Sequence, residues 1–160
     1  MRQTNKLILF GLIIISTAIN SKTYANDFEK SVIDSILLKT SDLPDGYKLT
    51  DKDLAITPQA SSLYNDLSMY TMMFKLTVID KNSQSIKSSK DKGTIYIYVF
   101  KESAEKFIGF AEGYIWGTDK PNDEHPDEII TKENLMIVLS FKKDSKIKEL
   151  YKAKIKEIIK

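Results

Sequence analysis

Thr94-Ile95-Tyr96-Ile97-Tyr98-Val99-Phe100 decides the fold, because every residue in it is β-branched or aromatic. In an extended strand successive side chains point to opposite faces. Ile95, Ile97 and Val99 therefore share one face, and Tyr96, Tyr98 and Phe100 share the other. Both faces are apolar. Such a strand is expected inside a sheet, covered at least in part on each side.

Downstream, Ala104, Phe107, Ile108, Ala111, Tyr114 and Ile115 recur at helical spacing, with Ser103 near the start and Gly117 just past the end. This predicts a helix over 103–116. Its Gly109 and Gly113 are expected to let the helix lie close to a sheet. A polar loop follows from Gly117 to Asp127. Glu128 to Thr131 and Leu135 to Phe141 then read as a hairpin turned by Lys132-Glu133-Asn134. Asp144 or Ser145 can cap a last helix whose apolar face is Ile147, Leu150, Tyr151, Ile155, Ile158 and Ile159.

Upstream, Asp80 to Lys92 is rich in Ser, Lys and Asn and reads as a mobile connection ending at Gly93. Met72 to Ile79 alternates Phe74, Leu76 and Val78 with Lys75 and Thr77, the pattern of a half-buried strand. Pro58 breaks the stretch before it, and Ala60 to Tyr70 reads as a short helix with Leu63, Leu67 and Tyr70 inward. Leu43-Pro44-Asp45-Gly46 is turn chemistry, leading into a short strand at Tyr47 to Thr50. A first helix is expected over 27–39, with Phe28, Val32, Ile33, Ile36 and Leu37 on one broad face. The order predicts an α+β fold: a two-layer sandwich, its mainly antiparallel sheet covered by about three helices.

The N-terminus reads as a secretory signal peptide over 1–25. Arg2 and Lys6 precede the apolar run Leu7 to Ile15, and Thr23-Tyr24-Ala25 places small residues at −3 and −1. That run is shorter than the roughly 20 residues a membrane-spanning helix needs. Cleavage after Ala25 would leave one globular domain, 26–160, secreted or periplasmic. It would also remove Arg2, Lys6 and Lys22 but no acid, so 24 bases against 22 acids become 21 against 22. A near-neutral domain gives no electrostatic case for a nucleic-acid partner.

Arg2 is the only arginine, so tight bidentate clamps for phosphate are not expected in the rest of the chain. There is no cysteine, hence no disulfide and no thiolate nucleophile. The sequence contains no G-x-S-x-G, glycine-rich phosphate loop, H-E-x-x-H or calcium-binding helix–loop–helix pattern. No cofactor is expected. The lysine-rich stretch Lys142 to Lys160 is expected to be a core helix with a solvated lysine face rather than a membrane contact.

One segment concentrates unusual residues. The stretch from Trp116 to Glu128, at the end of the helix at 103–116 and beyond, holds the only Trp (Trp116) and the only His (His125), with Asp119, Asp123, Glu124, Asp127 and Glu128. Oxygen-rich loops can hold a hard cation, and His beside carboxylates can do acid–base work. Pro121 and Pro126 restrict the backbone and can hold the carboxylates apart, so no tight metal site is expected. These seven residues are the candidate binding site. The expected function is a non-enzymatic binding or interaction protein of the cell envelope or extracellular space, with an unknown protein or small ligand as partner. The alternative is a small hydrolase-like exported enzyme using His125 and neighbouring carboxylates.

Overall fold

The computed structural model describes residues 31–118 and 120–159. The expected leader, its cleavage point, the start of the expected first helix and Asp119 lie outside the described residues. Among the described residues, α1 is helical over 31–36. It is followed by β1 (Lys48–Thr50), α2 (Pro58–Asn65), α3 (Leu67–Met73), β2 (Val78–Lys87) and β3 (Lys92–Phe100). Then come α4 (Glu105–Trp116), β4 (Glu128–Lys132), β5 (Leu135–Phe141) and α5 (Lys146–Ile158).

The five strands form one antiparallel sheet in the order β1-β2-β3-β5-β4. The architecture is an α+β sandwich, and β3 lies at its centre. Its two faces divide as the alternation requires. Ile95, Ile97 and Val99 join Ile33, Ile36, Ile147, Tyr151 and Ile155 in one core. Tyr96, Tyr98 and Phe100 join Leu63, Leu67, Phe107, Ala111 and Ile115 in the other. Helices therefore cover both faces, α1 and α5 on one and α2 to α4 on the other, which adds a third layer to the expected two.

Four local readings change. The helix expected from Ala60 starts at Pro58, which opens α2 with the Thr57 side chain accepting from Ala60 N–H; the proline occupies a position whose N–H needs no partner. The helical stretch after it is two helices meeting at Asp66. The strand expected at Met72 to Ile79 starts only at Val78, because α3 runs to Met73 and a tight turn with Lys75 at φ 52° follows. Asp80 to Lys92 is not a mobile connection: most of it is β2, paired along its length with β3.

Gly109 and Gly113 do not bring α4 close to the sheet. The buried face of α4 is Phe107, Ala111 and Ile115, which turns both glycines outward, and a methyl group on either would meet nothing within 4 Å. An exposed helical glycine costs about 1 kcal/mol relative to alanine. Gly113→Ala is expected to stabilise the protein by about 0.5–1 kcal/mol in denaturant melts. A loss of stability would mean that the outer face of α4 is covered.

Candidate binding groove and the neighbouring loop

A row of hydroxyls crosses the sheet near the start of β3. Ser85, Thr94 and Ser140 are direct neighbours on β2, β3 and β5, and all three are buried. Buried hydroxyls need partners, and the chain supplies them by laying residues 53–57 across the row. Leu54 N–H donates to Thr94 Oγ1 at 2.9 Å, and Ile56 N–H donates to Ser140 Oγ at 2.9 Å. Thr57 Oγ1 donates to Asp127 Oδ2 at 2.9 Å. Thr94 gives its own proton to Asp53 Oδ1 at 3.1 Å, so in the 2.8 Å contact with Ser85 the serine is the donor.

Asp53 anchors one end of this network. Tyr96 Oη lies 2.7 Å from both its carboxylate oxygens, Ser61 Oγ donates at 2.5 Å and Ala55 N–H at 3.0 Å. Partial burial pushes the carboxyl up, but these donors together outweigh it and hold Asp53 below the ordinary aspartate value. It is ionised at neutral pH. Burial first, and Asp53 second, push the Tyr96 phenol well above its usual range.

Asp53 and Tyr96 form the back of an open groove of about 630 Å³ on the β1–β2 side of the sheet. Its floor includes Thr50, Ser83 and Ser85, and Lys48 and Lys87 also line it. Tyr64 closes the helix side. Its ring packs against Tyr96 at 5.0 Å between centroids, and the Lys81 ammonium lies 4.5 Å from the Tyr64 ring centre. An ionised acid, fixed hydroxyls and an aromatic wall are the groups that recognise a polar, hydroxyl-bearing ligand.

The candidate loop enters β4 beside the other end of the row, and its acids do not converge. Exposed Asp123 pairs with Lys143 at 3.3 Å. Glu128 is 3.1 Å from both Lys148 and Lys152. Partial burial pushes Glu128 up, but the two ammoniums outweigh it and hold it low. Glu124 is exposed, its N–H bound to Asn122 Oδ1. Trp116 is buried and donates from Nε1 to the Asp127 carbonyl at 2.9 Å, closing the core at the end of α4. Among the described residues no three His, Asp or Glu side chains stand together as a metal site. Lys143 offsets Asp123, and Lys148 and Lys152 offset Glu128.

Asp127 is the exception within the loop. It is fully buried, and burial pushes its carboxyl up against the opposing pull of the Ser140 and Thr57 hydroxyls. Its Oδ1 and the neighbouring His125 Nδ1 are buried without a hydrogen-bond partner. A carboxyl whose folded value is raised contributes stability fully below the unfolded value of 3.8, and that contribution is lost as pH rises through the folded value. Asp127→Asn is therefore expected to gain stability relative to the parent at pH 7. The gain should shrink as pH falls through the raised folded value and be lost below the unfolded value of 3.8, as read from melts at several pH values. A gain independent of pH would show that the fold does not raise the Asp127 carboxyl.

The groove residues were not singled out by sequence. Their signal was the spacing of Lys81, Ser83, Ser85 and Lys87, a polar period of two that marks one face of a strand. The C-terminal helix is engaged rather than simply solvated. Lys148 is buried and donates to the Pro126 carbonyl, and Lys154 donates to the Leu37 carbonyl at 2.8 Å. What the geometry defines is an α+β sandwich with a polar groove at one end of its sheet. No family model, curated protein or solved structure matches the chain.

Proposed function

We propose that the protein is an exported, non-enzymatic binding domain of the cell envelope or extracellular space, and that the groove at Asp53 holds its ligand. The observation that carries this reading is the rigid back wall of the groove: an ionised carboxylate held by four donors beside two tyrosine rings. Groups fixed in advance lose little freedom on binding, which favours affinity. Export is supported by the leader-like run Leu7 to Ile15 and the Thr23-Tyr24-Ala25 boundary.

The hydrolase-like alternative has one observation in its favour, the unpartnered His125 Nδ1 near an Asp127 whose carboxyl is pushed up. Against it, Asp123 and Glu128 turn to lysines, and the groove does not include the loop. N-terminal sequencing of the exported protein is expected to begin at Asn26; a full-length product retained in the membrane overturns export. Backbone NMR titrated with oligosaccharides and short peptides should shift amides of residues 48–53 and 83–87, and Tyr64→Ala should abolish those shifts. Turnover of any probe would establish an enzyme instead, and shifts confined to 117–128 would move the site to the loop.

A further inference from the structure

Three lysines stand side by side at one end of the sheet; Lys48 and Lys87 line the groove, and Lys92 lies beside them. Lys48 on β1 is the direct cross-strand partner of Lys87 on β2, and Lys87 is the direct partner of Lys92 on β3. Direct partners lie on one face of a sheet about 4.5–5.5 Å apart, and like charges there repel. None of the three makes an ion pair with a described residue. Asp91, beside Lys92 in sequence, is turned elsewhere: its Oδ2 accepts from Tyr47 Oη at 3.1 Å and from Ser145 Oγ at 2.9 Å, while Asp51 lines the groove without an ion pair to any of the three. Asp53, at the back of the groove, is held by neutral donors. Lysines often protect the exposed edge of a sheet, which accounts for Lys48 on the edge strand. It does not account for Lys87 and Lys92, because β2 and β3 are interior strands.

Two residues further along the same face comes the hydroxyl row of Ser85 and Thr94, then Ser83 and Tyr96. A molecule lying in the groove therefore meets Lys48 and Lys87, with Asp51 also on the wall, then the hydroxyls of the floor, then the tyrosine rings beside Asp53. Taking the groove as the binding site proposed above, we propose that its ligand is an anionic, hydroxyl-bearing polymer. Its negative groups lie over Lys48, Lys87 and Lys92, and its hydroxyls lie along Thr50 and Ser83 on the groove floor. Phosphate on a polyol chain and carboxylate on a sugar chain present the same chemistry here: a repeated negative group flanked by hydroxyls. Lysine serves either as a point charge, without the planar fork that would select one of them.

The test titrates the purified protein with four labelled oligomers: a glycerol phosphate hexamer, a galacturonate hexamer, an uncharged glucose hexamer and inorganic polyphosphate. The expected result is binding of the first two, at least tenfold tighter than the uncharged hexamer and weakening as salt rises. Whichever anionic hexamer binds more tightly identifies the source of the charge. Lys87→Gln/Lys92→Gln should weaken binding about tenfold and flatten the salt dependence, Lys87→Arg/Lys92→Arg should retain it, and the control Lys106→Gln on α4 should leave it unchanged. Melts establish that each variant is folded. Equal binding of the uncharged hexamer, with NMR shifts in the groove, overturns the anionic ligand and leaves the groove standing. Polyphosphate binding as tight as the hexamers, unchanged in the double variant, overturns the lysine row as the site. Shifts outside the groove with every probe overturn both readings.

Discussion

Gly93→Ala is expected to destabilise the protein by about 3 kcal/mol, at the upper end of what overpacking a core costs. A methyl group there would stand 2.2 Å from Phe141 Cδ1 and 2.5 Å from the Ser140 carbonyl oxygen. Neither neighbour can yield cheaply. Phe141 is fully buried, its ring 5.8 Å from that of Tyr151 on α5, and the Ser140 carbonyl belongs to the central ladder. Gly93 pairs directly with both Ile86 and Phe141, so the missing side chain is what lets the phenylalanine ring lie across β3. Gly93→Ala/Phe141→Leu should recover part of the loss, because it removes the ring clash but leaves the carbonyl clash. Urea melts of the two variants decide the matter, and a loss below about 1 kcal/mol for Gly93→Ala would be incompatible with this packing. The contrast with Gly113→Ala, expected to stabilise, separates a glycine required by close approach from one that only weakens a helix.

The elements that were legible in sequence are those whose burial is complete. β3 and β5 are apolar on both faces because helices cover both, and α4 and α5 show their buried stripes at helical spacing. β2 was hidden because burial asks little of it. Its outer neighbour is the three-residue β1, its Ser83 and Ser85 face an open groove, and only Ser85 and Ile86 are buried along it. Its strand conformation comes from the ladder with β3, a long-range partner that no local pattern reveals. The alternation of Phe74, Leu76 and Val78 misled for a related reason. Leu76 reaches the core from a turn in which its N–H bonds to the Thr71 carbonyl, not from a strand. The candidate loop stands out in sequence by its rare residues, and two of them are buried: Trp116 in the core and Asp127 beside it. The groove and its lysine row arise from register between distant strands, so Lys48, Lys87 and Lys92 become neighbours only in the folded sheet.

Ile97→Ala should be the other severe substitution, with an expected cost of about 2–5 kcal/mol. Ile97 is fully buried at the middle of the central strand, facing the core that α1 and α5 close. Its direct partner on β5 is Ile137, equally buried, whereas its partner on β2 is Asn82, which is not. Relaxation into the space left by the truncation would have to move β5, itself held between β3 and β4, so the cavity should persist. The same reasoning predicts coupling: Ile97→Ala/Ile137→Ala should depart from the sum of the two single losses by about 0.5 kcal/mol or more, since the pair shares one packing site. Ile130, partly buried against the same core on the edge strand β4, supplies the comparison. Ile130→Ala should cost less than Ile97→Ala, because a half-buried side chain surrenders less apolar area. If the order were reversed, or if Ile97→Ala cost less than about 1 kcal/mol, β3 would have to lie at the edge of the sheet. The two-faced stretch Thr94 to Phe100 would then require a different arrangement of the helices around it.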